Sequence, residues 1–236
     1  MSGSRPNGGG AEAEYFDEFA NRYQEILDAN LAIAGETGVA FTRRRMAYLR
    51  RWLPILPVRV MDFGCGIGLA IPLLLDAFPG CQVVGVDVSP ESVRLARERC
   101  RDERVRVSLT SELDVGDFDL VYTSGVFHHI PPGERADAME RIRSALRPGG
   151  VAAVSEHNPW NPATRYLVRT CPFDADARLL RPRETTRLLE AAGLEILRRD
   201  FVSFFPGWLR PLERLERGLR PVPLGAQYIV LARRRP

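Results

Sequence analysis

Val60-Met61-Asp62-Phe63-Gly64-Cys65-Gly66-Ile67-Gly68, followed by Gln82-Val83-Val84-Gly85-Val86-Asp87, carries the architecture of this chain. An apolar strand runs into three glycines at alternate positions, where side chains would keep a ligand off the backbone. The next strand closes on a carboxylate able to take two ribose hydroxyls. This pattern predicts a nucleoside cofactor, and the spacing separates two classes of it. A dinucleotide fingerprint is G-x-G-x-x-G, with a helix N-terminus facing a pyrophosphate. Here the glycines run G-x-G-x-G, with Asp62 two residues before the first. A carboxylate there repels a pyrophosphate and suits a cationic ligand, which disfavours a nicotinamide reductase.

Outward from this motif, short β-branched runs alternate with amphipathic stretches. Strands are predicted over 59–63, 82–87, 105–109, 118–123 and 151–156, and helices over 69–78, 90–101 and 134–146. The alternation predicts βαβ units on a parallel sheet. Ser89-Pro90-Glu91 reads as a helix start with a capping serine and a first-turn proline. Pro148-Gly149-Gly150 reads as a helix end that turns into a strand. A helix over 183–192 stops at Gly193, and 194–201 with 227–232 form a final antiparallel pair. The expected fold class is α/β: a Rossmann-like, seven-stranded, mostly parallel sheet with a final antiparallel strand, helices on both faces and an N-terminal helical prefix. The domain is expected over 11–236, with the helical prefix at 11–53, a cofactor-binding core at 58–156, and substrate-side insertions at 157–181 and 202–225. Residues 1–10, rich in Gly, Ser and Pro, are expected to form a disordered tail.

At 236 residues the chain holds one α/β domain with decoration. Lys plus Arg number 33 against 30 Asp plus Glu, and the only arginine runs are Arg43-Arg44-Arg45 and Arg233-Arg234-Arg235. No basic stripe results, which argues against a nucleic-acid partner. The four cysteines lack C-x-x-C spacing and no signal-peptide pattern opens the sequence. Neither a disulfide framework nor a zinc site is predicted, and a reducing cytoplasm is expected. No run of ~18 apolar residues predicts a membrane span.

In these motifs the chain resembles the class I S-adenosylmethionine-dependent methyltransferases. Their first motif is an acid followed by G-x-G-x-G, and their second is an acid closing the next strand. Asp62, Gly64, Gly66, Gly68 and Asp87 match one for one. The resemblance continues through Asp117-Phe118-Asp119-Leu120-Val121-Tyr122, Gly125-Val126-Phe127-His128-His129-Ile130 and Leu146-Arg147-Pro148-Gly149-Gly150, covering 58–156. It implies S-adenosyl-L-methionine as cofactor, with Gly64, Cys65 and Gly66 at its methionyl and ribose end and Asp87 on the ribose hydroxyls. It also implies Val88 against adenine, Ser111 or Glu112 at the adenine amino group, and Ser124 with Gly125 along the methionyl side. In the family a helical prefix covers the cofactor, so the resemblance implies an N-terminal helical lid at 11–53. Tyr23 and Arg45 are expected to supply the tyrosine and the cation that the methionyl carboxylate requires.

Methyl transfer from a sulfonium is an in-line displacement, so the enzyme must align the nucleophile and exclude water. A hydroxyl or carbon acid must also lose a proton. The chain has three histidines. His128 and His129 follow the fourth strand and His157 the fifth, all where the family's active site would be. Imidazole has the right basicity for the task near neutrality. His157 is the preferred base, while His128 and His129 weigh toward packing. Glu156 adjoins His157, but neighbours on a strand face opposite ways. A two-His-one-carboxylate site from His128, His157 and Glu156 is conceivable, although no metal is expected.

The 157–181 segment, with Asn158-Pro159-Trp160-Asn161-Pro162 and Cys171-Pro172-Phe173-Asp174, leaves the end of strand five, where such sheets bind ligands. It is expected in the substrate pocket. The 202–225 segment carries Phe204, Phe205, Trp208 and an arginine-rich amphipathic run. Peripheral membrane contact or a lipid substrate is one reading. An aromatic lid or dimer contact is the other, favoured because Glu213 and Glu216 dilute the positive face. The resulting expectation is O- or C-methylation of a small, hydrophobic, lipid-like or aromatic biosynthetic acceptor. The quinone-biosynthesis type is a better match than the RNA type, since no Asn-Pro-Pro-Tyr-like signature follows strand four. The alternative is a cofactor-binding fold without methyl transfer, either a non-redox cyclase or an inactive partner subunit.

Overall fold

The computed structural model describes residues 9–113 and 116–235. Of the expected tail, residues 1–8 lie outside this description, and Gly9 and Gly10 already belong to the first helix.

Seven strands form one sheet: β1 (Arg59–Phe63), β2 (Gln82–Asp87), β3 (Val105–Leu109), β4 (Phe118–Ser124), β5 (Leu146–His157), β6 (Leu194–Val202) and β7 (Gln227–Arg234). Their order is β3-β2-β1-β4-β5-β7-β6. β7 runs antiparallel to both β5 and β6, and the pairings on the other side are parallel. Alternate residues divide the core between the two faces. Val60, Val83, Leu120 and Ile229 lie in one buried cluster, while Met61, Val86, Val121 and Val230 lie in the other.

The strand ends explain one difference from the sequence expectation. Pro148-Gly149-Gly150 is not a turn preceding β5 but an irregularity inside it, between the pairings of Phe118 with Leu146 and Leu120 with Val151. Gly149 takes φ +79°, and a Cβ on Gly150 would stand 2.7 Å from the Phe118 carbonyl oxygen. Glycine at 150 therefore lets the strand resume against β4.

The helices are α1 (Gly9–Ala20), α2 (Tyr23–Leu31), α3 (Gly38–Trp52), α4 (Ile71–Ala77), α5 (Pro90–Arg99), α6 (Arg135–Ala145), α7 (Pro162–Thr170), α8 (Pro182–Ala191) and α9 (Glu216–Leu219). The Ser89 hydroxyl caps α5, accepting from Ser92 N at 3.0 Å, and Pro90 occupies the first turn. Asn161 caps α7 in the same way, accepting from Thr164 N at 3.0 Å. Among the described residues no helix is long and apolar enough to cross a membrane.

The helical prefix splits into two parts. α3 is half core: Met46, Tyr48 and Leu49 are buried in the sheet cluster, and the Tyr48 hydroxyl donates to Asp200 at 2.9 Å. α1 and α2 form the cover. Asp17 on α1 accepts from Ser89 Oγ at 2.5 Å and from Glu91 N at 3.0 Å, fastening the cover to the start of α5.

Candidate active site

The C-terminal ends of β1, β2, β4 and β5 open into a cleft roofed by α1 and α2. Its two lobes share Tyr23, Gly64, Gly66, Gly125 and His129. The first lobe runs toward Asp87, Val88 and Thr110. The second reaches Arg45, Asp62, Ser124, His128, His157, Asp174 and Gln227.

Each glycine of the motif has its own reason. All three adopt positive φ, at +73° for Gly64, +52° for Gly66 and +77° for Gly68. A Cβ on Gly64 would strike Val126 Cγ2 at 2.4 Å, and one on Gly68 would press Cys100 Sγ at 3.0 Å. Around Gly66 nothing lies within 4 Å, so a Cβ there would enter the cleft itself. Cys65 lines the second lobe and packs over Gly85 in the core.

Asp87 is buried and holds the loop together. Its Oδ2 accepts from Gly66 N at 2.8 Å and its Oδ1 from Ser89 N at 3.0 Å. Asp62 is buried to 2 % exposure, yet its Oδ2 has no hydrogen-bond partner among the described residues. Burial, then the nearby Asp87, pushes its carboxyl up to about 7. Arg45 reaches the same lobe, donating to Gln227 Oε1 at 3.1 Å and Thr42 Oγ1 at 2.6 Å, while its Nε has no acceptor. Tyr23 stacks on Phe173 with ring centroids 4.7 Å apart, and burial holds its phenol well above the usual range. Val88 lines the first lobe and is 40 % exposed. Ser111 and Glu112 do not line it. Glu112 instead accepts from Leu109 N at 3.2 Å and caps the short helical turn, and Thr110 takes the place beside the cleft.

The three histidines converge. His128 Nδ1 meets Glu156 Oε2 at 2.6 Å and its Nε2 lies 3.5 Å from Asp174 Oδ1. His129 Nε2 lies 3.2 Å from the same oxygen. The His157 ring centroid is 4.9 Å from that of His128. Glu156 therefore orients His128 rather than His157, as strand alternation requires. Its other oxygen accepts from Val126 N and Phe127 N, at 3.1 and 2.8 Å, and fixes the loop after β4. Burial works against a charge on His128, but Glu156 and Asp174 overcome it and hold the ring cationic. Burial, and next the His128 charge, pushes His157 down to about 4, so it is neutral at neutral pH. Ligand atoms of His128, His157 and Asp174 lie within 4.8 Å of one another, so the carboxylate of any two-His-one-carboxylate set is Asp174 rather than Glu156.

The 157–181 segment supplies Phe173 and Asp174 to this lobe and docks on the cover, where the Asn30 side-chain amide donates to Leu167 O at 2.9 Å. The expectation for 202–225 changes. Among the described residues of that segment none lines either lobe. It braces α3 instead, through ion pairs that join Arg44 to Glu36 and Glu213. Asp174 and Gln227 were given no role of their own in the sequence, and Glu156, weighed there beside His157, pairs with His128 instead. Glu156 carried a signal, its place beside His157 at a strand end, whereas Asp174 and Gln227 are joined to the site only by tertiary structure.

A parallel sheet with a glycine turn at its switch point, a buried acid at the next strand end and an orphaned carboxylate define a protein that binds a cationic nucleoside cofactor. Residues 61–152 match the family described as a methyltransferase domain. The trans-aconitate 2-methyltransferase of Azoarcus sp. (strain BH72) is 32% identical over 134 residues, 56% of this chain and 52% of that protein. The chain thus spans about half the length of the curated relatives it matches. A possible histamine N-methyltransferase from Thermotoga maritima superposes with a TM-score of 0.65 at 17% identity, covering 94% of this chain and 99% of that one. The [4+2]-cyclase SpnF superposes at 0.67 and 20% identity, covering 100% and 99%. Over residues 61–152 the chain is therefore similar to S-adenosylmethionine-dependent methyltransferases, and it shares their fold.

Proposed function

We propose that the chain transfers a methyl group from S-adenosylmethionine to a small, largely apolar acceptor whose hydroxyl or carbon acid must lose a proton. The observation that carries this reading is His157. Its ring lines the cleft, is neutral, makes no hydrogen bond among the described residues and stands beside a fixed cation.

The cleft fits the cofactor by the features it leaves unanswered. The space over Gly66 would take the nucleoside, with Asp87 on the ribose and Val88 and Thr110 toward the base. Asp62 and Arg45 would hold the ammonium and carboxylate of the methionyl end, because each has a buried polar atom without a partner. When bound, S-adenosylmethionine supplies an electrophilic methyl group on a sulfonium. Tyr23 and Phe173 close the roof and exclude water. His157 accepts the acceptor's proton as the new bond forms, and the His128 cation stabilises the negative charge that develops there. Asp174 and Glu156 keep that cation in place.

The acceptor is uncharged in this reading. Among the described residues of the second lobe, Arg45 is the one guanidinium, and it is already tied to Gln227 and Thr42. The His128 charge is answered by two carboxylates. Little cationic surface remains for a tricarboxylate such as the one in the relatives' name, while Leu27, Phe41, Leu167 and Val168 offer apolar walls.

The test is production of S-adenosylhomocysteine against a panel of apolar hydroxyl and carbon-acid compounds, with trans-aconitate as control. His157→Ala should lower kcat by ~10² or more with cofactor affinity by calorimetry unchanged. Unaltered turnover in that variant would remove His157 from the reaction. Cofactor binding without S-adenosylhomocysteine across the panel would favour a role without methyl transfer.

A further inference from the structure

The segment between β6 and β7 braces α3, but bracing does not explain its outer side. Within 207–219 the two acids are both tied to partners in the fold. Glu213, its side chain 37 % exposed, pairs with Arg44 at 2.7 Å, and Glu216 Oε1 accepts from Phe204 N at 2.8 Å. These partners reduce the dilution of the positive face expected from the sequence. Arg210, Arg214 and Arg217 are left exposed. Among them Trp208 is 68 % exposed, Leu215 58 % and Leu212 37 %. The adjoining α3 contains no acidic residue and exposes Arg43, Arg50 and Arg51.

Large apolar side chains set among exposed guanidinium groups, with the neighbouring acids held by partners in the fold, are the composition of an interfacial segment. We propose that this face seats the protein on an anionic lipid surface. Trp208, Leu212 and Leu215 enter the boundary between headgroups and acyl chains, and Arg210, Arg214 and Arg217 meet lipid phosphates. A nucleic acid would engage the arginines and leave both leucines wet. A second copy would bring Arg210, Arg214 and Arg217 against their own counterparts across a two-fold axis, while the partly exposed Glu213 is already paired with Arg44. The seat adjoins the cover of the cleft. Trp208 abuts Gly35, in the turn between α2 and α3, and Ile33 in that turn is 68 % exposed. The same turn joins Leu31 to Gly38, and both line the second lobe.

The experiment is co-sedimentation of the full chain with phosphatidylcholine vesicles, with and without phosphatidylglycerol. It needs no methyl transfer, so it stands or fails apart from the proposed reaction. Binding is expected only to the vesicles that contain phosphatidylglycerol and should weaken as salt rises. The triple variant Arg210→Gln/Arg214→Gln/Arg217→Gln should lose partitioning on the order of a hundredfold. Leu212→Gln/Leu215→Gln should lose it as well and should abolish the blue shift of tryptophan emission. All these positions are exposed, and circular dichroism verifies that the variants fold. The proposal is overturned by absence of sedimentation at low salt, or by variants that bind like the parent. It is equally overturned if single-stranded RNA binds while vesicles do not, or if light scattering finds a dimer that both variants dissolve and vesicles are ignored.

Discussion

Asp62 is closed off from water, carries an oxygen that no donor reaches, and neighbours the charge of Asp87. Its folded pKa of about 7 lies above the unfolded value of 3.8. The folded state therefore binds the extra proton between these limits, and the contribution of this group to stability falls as pH rises through that window. A cation docking on Asp62 needs the ionised form. Cofactor affinity should accordingly drop by about tenfold per pH unit below pH 7, with about one proton released on binding, as read from calorimetry in buffers of different ionisation heat. Asp62→Asn should bind weakly with a flat profile, and a wild-type slope in that variant would exclude the assignment. Gly66 and Gly64 separate ligand room from packing. Gly66→Ala should cost about 1 kcal/mol for its left-handed backbone but raise the cofactor Kd more than tenfold. Gly64→Ala, driven against Val126, should chiefly lower the melting temperature. Thermal scans and calorimetry on the pair measure both effects, and equal behaviour of the two would dissolve the distinction. At this scale the glycines and Asp87 were legible because a backbone that must bend or admit a ligand writes itself as glycine. Asp174 was not, because its meeting with His128 and His129 depends on how the segment after β5 folds back.

Elements carry the division between a fixed floor and a cover. The floor is strand ends locked by Glu156 and Asp87, each accepting from two backbone N–H groups. The cover is held at one edge by Asp17 on the cap of α5, where the same carboxylate oxygen serves Ser89 and Glu91. Hydrogen bonds to a charged group contribute ~1.5–3 kcal/mol. Asp17→Ala should therefore speed proteolytic cleavage within α1 and α2 several-fold and hasten cofactor release, while the melting temperature of the sheet domain changes little. Unaltered proteolysis would show that Asp17 does not retain the cover. Helix starts were read well, since Ser89-Pro90 carries a cap and a fixed φ in two residues. The interior bend of β5 was misread as a turn, because proline and two glycines serve a helix end and a strand irregularity alike. The pairing of Glu213 was likewise hidden, because its partner Arg44 lies 169 residues away.

At the scale of the molecule, a net charge of +3 conceals an uneven distribution. Arginines gather on α3 and the segment before β7, whereas the buried acids Asp62, Asp87 and Asp174 line the cleft. The parallel βαβ half of the sheet was legible from alternation alone. The place of β7 was not, because an antiparallel pairing of the last two strands says nothing about which of them adjoins β5. That place has a consequence for how the protein is made. β7 lies between β5 and β6, both of which precede it. On the ribosome the nascent chain presents two strands with a slot between them, and the slot stays open until 227–234 emerge. Gln227, which clasps Arg45, and Tyr228, whose hydroxyl contacts Thr185 and Leu180 at 2.7 and 3.1 Å, arrive with that strand. The glycine motif is translated well before β7, but the cleft it serves is finished only when that strand has emerged.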